Sequence, residues 1–224
     1  MKKKSEDTLG NLISTQDDQN IEIAPDANRN LYLPYYKQEI HFINNTEYIK
    51  FVKSVENLIR RSKEYRAYIR YLKEDVGLRQ CVMFGNITDD KASIEMHHGP
   101  IFTLFDYVEL TIVNEFKKPD GFVSSFRVAN QVLEDHFNNL IQVVMLSEMA
   151  HKAVHPSKKE VRAEFIDIDS AWGDIVGYLQ KYSHCINYSH AHKIKKYINE
   201  WEKQKKDDGR TVSIFREIVK KWKF

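Results

Sequence analysis

A mostly helical α+β fold is the class that this 224-residue chain predicts, and three observations carry the prediction. Apolar residues recur at helical spacing over most of the chain beyond residue 45. Three short apolar runs, 81–84, 93–97 and 140–146, break that spacing and read as strands. Only 8 glycines and 5 prolines occur, which disfavours collagen, linker arrays and glycine-rich cofactor loops.

The elements follow in chain order. Residues 1–40 are polar and without pattern and predict an extended or partly disordered arm, pinned near Leu31 to Tyr36. A helical segment is expected over 41–80. Thr46 is placed to cap a helix running to Lys73, with Tyr48, Phe51, Val52, Val55, Leu58, Ile59, Ile69 and Leu72 on one face. The opposite face, with Lys53, Arg60, Arg61, Lys63, Arg66, Arg70 and Lys73, reads as solvated.

The runs 81–84 and 93–97 predict two strands joined through Thr88-Asp89-Asp90. Helices are expected over about 101–116, closed by Pro119-Asp120-Gly121, and over 125–136. The strand at 140–146 is followed by a short helix from Ser147 to His155, ended by Pro156. In the 157–224 region, helices are expected from Asp169-Ser170 through Leu179, around Ile194 to Trp201, and around Val212 to Trp222.

Charge is segregated along the chain. The totals of 34 basic and 32 acidic residues give a net +2, which argues against a histone-like polycation. The last 44 residues, however, hold 12 Lys/Arg against 5 Asp/Glu, so a basic end follows an acidic body. Two cysteines, Cys81 and Cys185, exclude a disulfide framework and a four-cysteine zinc ribbon. The opening Met-Lys-Lys-Lys-Ser-Glu-Asp has no apolar stretch behind it, and the longest uncharged run, 137–147, is 11 residues. No secretory signal and no membrane span are expected, and a cytoplasmic location is.

The histidines carry the functional expectation. His97 and His98 are adjacent on a predicted strand, where neighbours point to opposite sides. His151 and His155 are four apart on a predicted helix, which puts both imidazoles on one face. One member of the strand pair is therefore expected to join His151 and His155 on a metal, and the other to face outward as a base. His136 is expected to serve a structural role at a helix end, and His184, His190 and His192 are expected to be solvated.

Ile94-Glu95-Met96-His97-His98-Gly99-Pro100 and the later segment from Val143 to Pro156 resemble the HNH nuclease motif. The resemblance spans about 81–156 and implies a small ββα-metal core embedded between N- and C-terminal helices, with a helical insertion at about 101–136. It implies His97, His151 and His155 as metal ligands and His98 as the general base. The family's middle asparagine falls on Gln142, with Asn139 close by. The ribbon cysteines are replaced by Ser147 and Ala150.

The activity so implied is metal-dependent hydrolysis of DNA phosphodiesters. One divalent ion (Zn²⁺, Mn²⁺, Ni²⁺ or Mg²⁺) would stabilise transition-state charge while His98 takes a proton from water. Lys152, Lys158 and Lys159 beside the site, and Lys195 and Lys196 in the basic C-terminal region, are the expected DNA contacts. A protease of the H-E-x-x-H type is excluded because Lys152 follows His151. The alternative is a binding or structural protein that has the fold without the activity, and phage genomes are a setting where free-standing HNH-like chains are common.

Overall fold

The computed structural model describes residues 36–38, 42, 44–154 and 166–204. Residues 1–35 of the N-terminal arm, His155, Lys158, Lys159 and the last helical stripe lie outside the described residues.

Helix α1 (Asn45–Arg61) starts where the Asn44 side chain accepts the Glu47 N–H at 3.0 Å. The single helix expected over 46–73 is in fact two, because Ser62 takes an extended conformation. Its hydroxyl donates to the Ile59 carbonyl (2.8 Å) and accepts the Tyr65 N–H (3.0 Å), ending one helix and capping the next, α2 (Lys63–Glu74). The apolar stripe continues across the break: Phe51, Val52, Val55 and Ile59 are buried from α1, and Tyr65, Tyr68 and Leu72 from α2. Of the basic face, Lys53 and the side chains from Arg60 to Arg70 are exposed, while Lys73 donates to the Ile94 carbonyl at 2.7 Å.

The expected strand at 81–84 does not form, and only an isolated bridge joins Gln80 to Thr88. Strand β2 (Ile94–His98) instead pairs antiparallel with β4 (Val143–Ser147), setting His97 opposite Val144 and His98 opposite Val143. The reason lies in burial. All five β4 residues are buried, whereas Val82 and Met83 are half-buried and Phe84 is exposed. At roughly 1.5–3 kcal/mol for each fully buried large apolar side chain, the β4 pairing wins the centre of the fold. Residues 81–84 touch it from outside the sheet, with Val82 N donating to the Met145 carbonyl (2.9 Å) and the Cys81 thiol beside Ser147.

Between these strands run α3 (Leu104–Phe116), β3 (Phe122–Ser124) and α4 (Ser125–Phe137). Strand β3 pairs antiparallel with β1 (Tyr36–Gln38), a second two-stranded sheet that the apolar runs did not announce. Helix α4 packs against both α1 and α3. Helix α5 (Glu148–Val154) follows β4 directly and leans on both central strands.

The helix expected to open at Asp169-Ser170 is replaced by a 3-10 turn, Ile168–Ser170, and Trp172 pairs with Val143 through two backbone bonds of 2.8 Å. Gly173 makes the turn possible. Its φ is +112°, and a Cβ there would lie 2.3 Å from the Ile141 carbonyl oxygen. Helix α6 (Ile175–Lys181) then begins under the Asp174 side chain, which accepts the Gly177 N–H at 2.9 Å. Helix α7 (Tyr188–Gln204) buries Ile194, Tyr197, Ile198 and Trp201, the expected stripe. Among the described residues no helix is long and apolar enough to cross a membrane.

Candidate functional site

Strand alternation decides which histidine goes where. Ile94, Met96 and His98 point into the core, and Glu95 and His97 point the other way. Helix α5 lies over the second face, bringing the His151 ring to 5.0 Å from the His97 ring, nearly perpendicular to it. His151 Nδ1 lies 2.8 Å from Glu95 Oε2. A carboxylate only accepts, so Nδ1 carries the proton and Nε2 is the lone-pair nitrogen of the neutral ring. Gly99 completes this corner, because a Cβ there would lie 3.2 Å from His97 Cδ2 and Nε2. Two of the three expected metal ligands, His97 and His151, are thus together, and Glu95 orients one of them. Glu95 was legible as the strand neighbour two residues before His97, but only the helix placement gives it a partner.

His98 is not where a solvent-facing base would sit. It is 4% exposed, and its Nε2 lies 3.0 Å from Nε2 of His136, itself fully buried in α4. His136 Nδ1 lies 2.7 Å from the Val132 carbonyl, which can only accept, so Nδ1 holds the His136 proton. His98 therefore donates from Nε2 to His136, and its own lone pair is on Nδ1. Burial, with the neighbouring His136 and Arg60 adding to it, holds the His98 imidazole well below its ordinary pKa. Burial likewise brings His136 down to about 4, against the bond to Val132. Tyr65 stacks near the His98 ring at 6.1 Å, and Tyr68 meets His136 edge-on at 5.1 Å.

The other expected catalytic residues have different occupations. Gln142 is buried; its backbone N–H donates to the Tyr107 hydroxyl (3.1 Å) and its amide to the Ile168 carbonyl (3.4 Å). Asn139 sits at φ 56° in the turn before β4, and its side chain accepts the Trp172 indole N–H at 3.1 Å. Both build the turn that positions β4. The structure gives no contact of either side chain with His98 among the described residues.

A cleft of about 170 Å³ opens at the end of β2, lined by Glu56, Arg60, Met96, His97, His98, Thr103, Leu104 and His151. Glu56 and Arg60, one turn apart on α1, form a 3.9 Å ion pair. Burial raises the Glu56 carboxyl above its usual range, although Arg60 and Lys53 pull it down. The sequence places Arg60 on a solvated helix face and does not single out Glu56. Of the expected DNA contacts, exposed Lys152 is paired with Glu148 at 2.7 Å, and Lys195 and Lys196 are exposed on α7.

The later histidines also divide. His184 and His192 are exposed, whereas His190, expected in solvent, is completely buried. It lies beside Asp106 and Glu109 of α3, which are more than 80 residues earlier in the chain.

Compared with known proteins, the chain matches the family model described as bacteriophage G278-like virion protein, over residues 1–223. No curated protein and no solved structure matches it. The expected membership of the HNH nucleases is corrected by that match, which accounts for the two flanks as well as the segment around the histidines. A strand pair followed by a helix, with histidines at its join, is a local arrangement that another family can also use. The setting is phage-related, and the chain belongs to the bacteriophage G278-like virion protein family.

Proposed function

We propose that the protein is a structural component of a phage particle, and that its histidine cleft holds a divalent metal without hydrolysing phosphodiesters. The observation that carries this reading is the burial of His98 against His136. A general base must reach its proton within hydrogen-bond distance and titrate near the working pH. His98 spends Nε2 on His136, and its surroundings keep it neutral far below neutral pH. Gln142 and Asn139 serve the β4 turn instead of orienting His98 as a base. His97 and His151 keep a metal role, with Glu95 fixing the His151 ring as second-tier carboxylates do around bound metals. Two imidazoles favour a borderline ion such as Zn²⁺ or Ni²⁺ over Mg²⁺.

The test is quantitative mass spectrometry of purified particles, together with metal analysis of the isolated full chain. The proposal expects the protein at a fixed copy number per particle, and metal retention that falls in His97→Ala and His151→Ala. A protein found in infected cells but missing from particles would overturn it.

A second reading, metal-dependent cleavage of DNA, is favoured by one observation. The cleft that holds His97 and His151 also contains Arg60, suited to a phosphate, and Glu56, a carboxyl raised by burial. In that reading Glu56 rather than His98 would take the proton. DNA contact through Lys195 and Lys196 is compatible with both readings, since a particle component also meets packaged DNA.

A further inference from the structure

We infer that Asp106, Glu109 and His190 form a second divalent-metal site, which clamps the start of α7 to the start of α3. Their ligand atoms all lie within 4.8 Å of one another. His190 Nε2 is 3.2 Å from Glu109 Oε2 and 3.9 Å from Asp106 Oδ1. Tetrahedral donors at about 2.0–2.2 Å from a zinc ion lie about 3.4 Å apart, so these separations bracket what one ion needs.

The orientation of His190 points the same way. Its side chain is 0% exposed, yet neither ring nitrogen makes a hydrogen bond. The 3.2 Å approach to Glu109 has the length of such a bond but not its direction. A buried polar atom without a partner costs roughly 1–3 kcal/mol. A buried imidazole that bonds to neither carboxylate, with both carboxylates within ligand distance of it, is an arrangement that one ion would partner. The wall behind the ring is apolar, with Phe102 edge-on at 5.7 Å.

The surrounding residues hold the donors in place. Asp106 divides its carboxylate: Oδ2 accepts from Thr103 N (2.9 Å) and Oγ1 (2.8 Å) in the capping box of α3, leaving Oδ1 turned toward His190. Asn187 accepts the His190 backbone N–H at 3.0 Å and sets the first turn of α7. Lys193 also reaches Asp106 Oδ1, from a side chain 40% exposed. It balances one carboxylate charge, and Glu109 supplies the second. One imidazole and two carboxylates suit Zn²⁺, Mn²⁺ or Co²⁺, with water completing the shell.

The site shares no ligand with the His97/His151 cleft, although Thr103, which holds Asp106, also lines that cleft. The test uses full-length protein stripped with chelator and titrated with Zn²⁺ and Mn²⁺ by calorimetry, in a His97→Ala/His151→Ala background. One bound equivalent and a higher Tm are expected there. Glu109→Gln, at a partly exposed position that need not disturb folding, should weaken that binding tenfold or more. Should the double variant fail to fold, Glu109→Gln in the otherwise unaltered chain is expected to lower the metal stoichiometry by one. Absence of binding in the folded background, or binding that Glu109→Gln leaves unchanged, would overturn the assignment.

Discussion

The Nε2 atoms of His98 and His136 lie 3.0 Å apart in the core, and the Val132 carbonyl beside the far nitrogen of His136 determines which of them donates. Two neutral imidazoles joined in this way hold α4 against the end of β2. The bond breaks when His136 gains a second proton, because two N–H groups then face each other at Nε2.

Stability should therefore fall on acidification through this pair. The folded state keeps His136 near pKa 4, whereas an unfolded histidine titrates near 6.5. Below about pH 6.5 the unfolded chain binds protons that the folded chain refuses, so its advantage grows until the folded pKa is reached. His136 contributes roughly 3 kcal/mol of this loss between pH 6.5 and 4, and His98 adds to it in the same direction. Urea unfolding at a series of pH values should show the decline, and His136→Gln should flatten it. An unchanged slope in the variant would remove the pair from the explanation.

Much of the helical frame was legible because the longer helices carry their own apolar stripes. Helix α3, with Val108 and Ile112 at the expected spacing, and the α7 stripe both follow from local spacing. The Ser62 break was not, since the apolar period runs through it unaltered and only the hydroxyl's two bonds reveal the stop. Strand β2 was legible, but the strand expected at 81–84 does not form beside it. Choosing β4 over 81–84 depends on how completely each run is buried, a property of the whole fold. The candidate site divides along the same line. The His97–His151 approach follows from strand alternation and an i, i+4 helix, whereas the His98–His136 and His190–Glu109 pairs join residues 38 and 81 positions apart. Nothing local distinguishes a buried histidine of this kind from a solvated one.

Gly173 should tolerate no side chain. Alanine there meets the Ile141 carbonyl at 2.3 Å in a backbone region that side chains disfavour. Gly173→Ala is expected to lose about 2 kcal/mol or more, measured by chemical unfolding. Gly85→Ala, where a Cβ meets nothing within 4 Å, should change stability by less than about 0.5 kcal/mol.

Asp135 should matter far more than the lysine it pairs with. Completely buried, it accepts the Tyr182 hydroxyl at 2.6 Å on one oxygen, and Lys181 (2.6 Å) and Gln131 (3.2 Å) on the other. Asp135→Ala strands the Tyr182 hydroxyl and is expected to cost about 2–3 kcal/mol. Lys181 is 40% exposed, and Lys181→Met should cost under about 1 kcal/mol, because water already screens that charge. Comparable losses in the two variants would contradict this division.

Glu95→Gln should weaken metal binding at the cleft while sparing the fold. The Glu95–His151 contact is largely exposed, so its stability contribution is small. Its effect on ring orientation is not, and a loss of tenfold or more in Zn²⁺ affinity is expected by calorimetry. Unchanged affinity would mean that His151 is oriented by something else.

A histidine cleft that holds a metal without cutting DNA leaves supercoiled plasmid intact, which a plasmid-nicking assay measures. Purified full-length protein is incubated with supercoiled plasmid and Mg²⁺, Mn²⁺, Ni²⁺ or Zn²⁺, beside the His97→Ala/His151→Ala variant. No nicking above that of the variant is expected with any of these ions. Metal-dependent nicking that disappears in the variant would contradict it and make the cleft an active site.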